Sequence, residues 1–236
     1  MHRAIRRALL AVCVLPAAVA AAPQIVAAQY EGPTLRYAHG VLGDTIEHTT
    51  LMVSLDDGAQ VRFTLEDALV FEDTEPRVLD LDLDGRPEIV VVESSQTKGA
   101  RLAVYNTDGR IAATPFIGVR FRWLAPVGAG DLDGDGAVEI AYIDRPHLAK
   151  TLRIVRFIDG DLVPVANMDG LTNHRIGERD IAGGLRMCAA VPEMILANAD
   201  WSALVAVEFG ADGVLARTIG QDTSRRAFER ALECAD

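Results

Sequence analysis

Two short acidic strings hold the side chains best suited to chemistry in this 236-residue chain. Asp80-Leu81-Asp82-Leu83-Asp84-Gly85-Arg86-Pro87-Glu88 and Asp131-Leu132-Asp133-Gly134-Asp135-Gly136-Ala137-Val138-Glu139 begin 51 positions apart, with carboxylates at places 1, 3, 5 and 9 and glycine at place 6. Three carboxylates at alternate positions, followed by a glycine that permits a sharp turn, can fold around one hard cation, because Ca²⁺ takes six to eight oxygens at about 2.3–2.6 Å. An EF-hand loop would need a bidentate carboxylate at place 12. Val91 and Tyr142 stand there, so these are not EF-hands. Each string runs directly into an apolar stretch, Ile89–Val92 or Ile140–Ile143, so that loop, cation and strand read as one repeating unit.

The elements that must carry these loops are strands. After the first string come Glu88–Ser94, Arg101–Asn106, the turn Thr107-Asp108-Gly109 and Arg110–Ala113; after the second come Val138–Ile143, Leu152–Phe157, the turn Asp159-Gly160 and Asp161–Val165. The same template recurs at Pro192–Leu196, Ser202–Phe209 and Val214–Ile219, where Leu185, Met187 and Ala189 replace the aspartates and no cation can bind. A more diverged unit runs over Thr45–Leu55, Asp56-Asp57-Gly58 and Gln60–Leu65. Short apolar strands between Gly/Asp turns, repeating about every 51 residues, predict an all-β, β-propeller-like fold of about four blades of four antiparallel strands over residues 29–221. A closed ring is preferred because it removes edge strands, with an open stack or a dimer completing a larger ring as alternatives. Residues 222–236 read as a helix, capped by Thr223 or Ser224 and apolar at Phe228, Ala231 and Leu232.

With the last carboxylate at place 9, and the backbone carbonyl of Arg86 or Ala137 at place 7, the strings resemble the calcium loops of FG-GAP repeats, the blades of the integrin α-subunit propeller and of bacterial VCBS-type repeat proteins. The resemblance spans about residues 34–220 as repeats, with the full motif in two units. It implies two calcium ions, one held by Asp80, Asp82, Asp84 and Glu88 and the other by Asp131, Asp133, Asp135 and Glu139. Each ion would neutralise four carboxylates crowded into one turn. Glutamate replaces the integrin-like aspartate at place 9, and Leu83 stands where the second string has Gly134, a substitution that costs about 1 kcal/mol or more if that backbone needs positive φ.

Arg3, Arg6 and Arg7 ahead of the apolar run Ala8–Val14, followed by alanine-rich sequence, predict a secretory signal peptide over residues 1–28, with cleavage after Ala20 as the rival. No serine or threonine precedes Arg6-Arg7, which favours ordinary secretion over twin-arginine export. The chain is therefore expected in the periplasm or outside the cell, with no membrane insertion after cleavage. Formal charge is −11 for the whole chain; without the three leader arginines, 20 basic residues face 34 acidic ones, a formal −14. A field of that sign argues against nucleic-acid or anionic-lipid partners and attracts cations. Cys188 and Cys234 are expected to be joined in an oxidising compartment.

A second group of residues could form a ligand face. His39, Arg122, Trp123, His147, Asn173, His174 and Arg175 fall in loops ahead of or after predicted strands, and their convergence would suit an anionic or carbohydrate ligand. No Gly-x-Ser-x-Gly elbow, His-Glu-x-x-His helix or cysteine nucleophile occurs. The expected function is thus a non-catalytic binding or scaffold module for a protein or carbohydrate, and the alternative is an envelope enzyme that uses the His/Arg/Asn face.

Overall fold

The computed structural model describes residues 22–189 and 191–235. Residues 1–21, which include most of the expected signal peptide, lie outside them. Seventeen strands and one helix follow in order: β1 (Ile25–Thr34), β2 (Glu47–Leu55), β3 (Gln60–Thr64), β4 (Leu69–Phe71), β5 (Arg77–Leu79), β6 (Glu88–Ser95), β7 (Gly99–Asn106), β8 (Gly109–Ala113), β9 (Leu124–Gly130), β10 (Glu139–Asp144), β11 (Thr151–Ile158), β12 (Asp161–Asp169), β13 (Leu171–Thr172), β14 (Gly184–Arg186), β15 (Glu193–Asn198), β16 (Leu204–Gly210), β17 (Gly213–Gly220) and α1 (Arg225–Leu232). The pairings are all antiparallel and define four repeated units: β1-β2-β3, β5-β6-β7-β8, β9-β10-β11-β12 and β14-β15-β16-β17. β4 bonds to both β2 and β6, joining the first two units into one sheet, and β13 extends the inner edge of the fourth unit as β4 does that of the second. The fold is the expected all-β, propeller-like one with a short C-terminal helix.

The apolar runs after the acidic strings are continuous because each strand is covered on both faces. On β6, Ile89 and Val91 face the first unit beside Leu51, Val53 and Phe71, while Val90 and Val92 face the third beside Ile140 and Tyr142. On β10, Ala141 and Ile143 turn instead toward Met194, Leu196 and Val207 of the fourth unit. Successive cores thus lie between units one and two, two and three, and three and four. The last lies between β15–β16 and the helix, where Ala227, Phe228 and Ala231 cover Ile195, Ala197, Leu204 and Ala206.

Three features differ from what the sequence predicts. Among the described residues no strand of the first unit pairs with a strand of the fourth, so the sheets themselves form an open stack, although Val41 and Leu42 of the first unit and Ile181 of the fourth join one apolar cluster. α1 covers the face a further sheet would take, and the outward face of the first unit is polar, with Arg62 and Glu31 paired across it at 3.3 Å. The ends meet through loops, as in the Gly177 N to Val41 O hydrogen bond of 3.0 Å. Polar or helical caps on a stack of repeats serve the purpose that closure serves in a ring. β1 also begins at Ile25, ahead of residue 29. Ile25, Ala27 and Ala28 pair with Leu55, Ser54 and Val53, and Ile25 is buried in the first core. A cut after Ala28 would remove the start of β1, whereas one after Ala20 leaves it whole. The first unit has three strands of its own instead of four.

Inner strands β5, β9 and β14 surround a small axial space of about 270 Å³ lined by Leu79, Val127, Gly128 and Leu185. A Cβ on Gly128 would lie 2.7 Å from Leu185 Cγ, so the residue occupying the first aspartate place of the fourth unit packs where only glycine leaves room. Ser224 caps α1 by accepting from Ala227 N, one of the two caps expected.

Candidate functional site

Each acidic loop links an inner strand to the next: β5 to β6 in the second unit and β9 to β10 in the third. The residue at place 2, Leu81 or Leu132, is buried in an inter-unit core and anchors the loop. The place-9 glutamate opens the following strand and folds back, so that Leu81 N donates to Glu88 Oε2 and Leu132 N to Glu139 Oε2, both at 2.9 Å. Gly85 N donates to Asp80 Oδ2 at 2.9 Å and Gly136 N to Asp131 Oδ2 at 3.0 Å. Leu83 has φ +61° and Gly134 has φ +76°, so the place does require the left-handed region, and the first loop carries the leucine strain.

Three carboxylates converge in each loop. Ligand oxygens of Asp80, Asp82 and Glu88 lie within 4.8 Å of one another, as do those of Asp131, Asp133 and Glu139. Asp84 and Asp135 stand outside these trios, with Oδ1 accepting from Arg86 N at 2.7 Å and from Ala137 N at 2.8 Å.

The two loops differ in what already occupies the acids. In the first, Asp80 Oδ1 is buried without a hydrogen-bond partner. Burial raises Glu88 to about 7, and the neighbouring Asp82, Asp80 and Asp84 add to the shift against the bond from Leu81. A buried, unsatisfied carboxylate oxygen among uncompensated acids fits a bound cation. In the second loop Asp131 Oδ1 accepts from Gly134 N at 2.8 Å. Arg156 on β11 reaches over the rest, with Nε 2.5 Å from Glu139 Oε1, Nη1 2.9 Å from Asp135 Oδ2 and Nη2 3.2 Å from Asp133 Oδ2. The second loop as folded therefore does not offer an open carboxylate trio. Arg156 was not among the sequence candidates, and only strand register reveals it, since Arg156 pairs with Glu139 across β10 and β11.

The residues proposed as a ligand face separate into two groups. His39, Trp123, His147 and His174 do come together: His39 Nδ1 lies 2.5 Å from Glu72 Oε1, Trp123 Nε1 donates to the Glu72 carbonyl at 2.8 Å, and the Trp123 and His174 rings are 5.0 Å apart. His147 Nε2 and His174 Nδ1 are 3.0 Å apart. Burial, with His174 alongside, lowers His147 to about 4, and burial lowers His174 as well. Trp123, Asn173 and His174 are buried, and Asn173 Nδ2 donates to Pro126 O at 3.1 Å in β9. Arg122 turns to the Phe121 carbonyl at 3.1 Å. Arg175 lies 3.8 Å over the Trp201 ring and bonds Thr223, fastening the entry to α1. These side chains bond within the interior rather than line an open depression, with Asn173 Oδ1 left buried and without a partner. A concavity of about 640 Å³ lies elsewhere, lined by Tyr142, Asp144, Arg153 and Pro164.

Two buried acids lie beside this cluster, Glu72 and Glu47. Glu72 accepts from Ser94 as well as meeting His39, and burial pushes its pKa upward against both. Glu47 on β2 is 3% exposed, and burial, followed by repulsion from Glu72, Asp44 and Asp73, raises it to about 9. Its folded-state pKa lies above the 4.5 expected when unfolded, so its protonated form contributes stability that is lost as pH rises from about 4.5 to about 9. Glu47→Gln is expected to gain stability relative to the parent across that window and to show no further relative gain above it. Denaturant titrations at several pH values check this, and parallel pH profiles would count against it.

No curated protein matches this chain. Residues 80–142, from the first aspartate of the first loop to Tyr142 on β10, match the family model of the FG-GAP-like repeat, so this stretch of the chain carries an FG-GAP-type repeat.

Proposed function

We propose that this chain is an exported, calcium-stabilised, propeller-like module that binds or scaffolds a protein or carbohydrate and does no chemistry on it. The observation that carries the reading is the convergence of three carboxylates at the head of two successive units, with the orphaned Asp80 Oδ1 marking the better-fitting loop. Asp80, Asp82 and Glu88 would hold the ion in that loop. Bound calcium supplies charge neutralisation and oxygen coordination, not a reactive centre. The Cys188–Cys234 disulfide supports an oxidising compartment. The enzyme alternative loses support because Trp123, Asn173 and His174 are buried and bonded internally.

Calcium is expected to raise the melting temperature and chelator to lower it. At free calcium a hundredfold above Kd, one occupied site contributes about 2.7 kcal/mol. Superimposable melting curves in calcium and in chelator would sink the calcium reading.

A further inference from the structure

We infer that Arg156 is the resident cation of the second acidic loop, so that the chain takes one calcium ion, at the first loop. This rests on the calcium reading above and concerns which loop is open to the ion. The two loops match in length, glycine placement and backbone bonding, yet their carboxylates have different partners.

A guanidinium never deprotonates in a protein and presents five N–H donors in a planar fork that matches carboxylate oxygens. Arg156 uses that fork on Asp133, Asp135 and Glu139 together. Both oxygens of Asp131 are taken by amides, from Gly134 at 2.8 Å and Gly136 at 3.0 Å. A calcium ion entering this loop would have to break the three ion pairs and settle a few ångströms from a fixed positive charge. The loop already has its counter-ion, covalently attached.

The first loop has no equivalent. Ile89 pairs with Tyr105, so the place opposite Glu88 on β7 falls to Asn106, which is neutral and turned into its own hairpin, its Oδ1 accepting from Asp108 N at 2.8 Å. Among the described residues no ion pair reaches Asp80, Asp82, Asp84 or Glu88, and Asp80 Oδ1 keeps no hydrogen-bond partner. The same scaffold thus neutralises one loop from within and leaves the other to an ion from solution.

The test is calcium stoichiometry, read by isothermal titration and by native mass spectrometry of the full mature chain with Ca²⁺ as the only probe. The parent protein is expected to bind one ion, Asp80→Asn none, and Asp131→Asn still one. Exchanging the cross-strand residues should move the sites: Arg156→Asn binds two ions, and Asn106→Arg binds none while retaining its far-ultraviolet circular dichroism. Two ions on the parent, loss of the single ion in Asp131→Asn, or one ion on a folded Arg156→Asn would each overturn the assignment. No ion on the parent overturns the calcium reading together with this inference, a result distinct from two. Because Arg156→Asn leaves Glu139 without its pair, it is titrated in calcium-containing buffer, and the two aspartate variants decide the matter should it fail to fold.

Discussion

Trp123→Ala is expected to destabilise the fold by about 3–5 kcal/mol, the range for truncating a large buried aromatic. The side chain is 2% exposed and belongs to the core between the second and third units. Its loss opens a cavity there and removes the donor that satisfies the Glu72 carbonyl at 2.8 Å, the edge contact to His174 going with it. Trp123→Phe separates these effects: most of the volume is kept and the indole donor is lost, so a cost of about 1–3 kcal/mol remains for the unpaired carbonyl. Urea denaturation of the three proteins checks the order. A Trp123→Ala protein within 1 kcal/mol of the parent would instead mark Trp123 as a surface residue free to meet a ligand.

Replacing both Cys188 and Cys234 by serine is expected to cost about 4 kcal/mol, from the entropy of closing the loop between residues 46 positions apart. The bridge ties the end of α1 to the segment after β14, and Arg186 Nη1 adds a 2.8 Å bond to the Ala231 carbonyl. Releasing it should loosen α1 from Ile195, Ala197, Leu204 and Ala206 before the other cores. Hydrogen exchange should therefore report early loss of protection in β15, β16 and α1. Unchanged stability and exchange in the double serine protein would show that apolar packing alone holds the helix.

The repeat was legible because its signals are local. Turn residues, a glycine at place 6 and apolar runs buried on both faces recur along the chain without reference to distant contacts, and the strands after each loop lie within a residue or two of their expected limits, apart from the longer β12. β1 was not legible. Its alanine-rich start, Ile25 to Ala28, has the composition of a signal-peptide tail, and only pairing with Val53–Leu55 makes it a strand. The surroundings of the polar residues were not legible for a related reason. His39, Trp123 and His174 are residue types that ligand sites use, but whether they meet solvent or Glu72 depends on how the loops of three units pack.

The amino-acid sequence by itself determined that this is a series of repeated antiparallel units, that two of them begin with cation-competent acidic loops, and that two cysteines are available to clasp the end. These follow from period, turn chemistry and side-chain alternation, all confined to a few tens of residues. The tertiary structure alone decided which loop keeps an open charge. Electrostatic compensation acts over a few ångströms, and the register of β10 on β11 brings Arg156 to Glu139, while that of β6 on β7 brings only Asn106 to the place opposite Glu88.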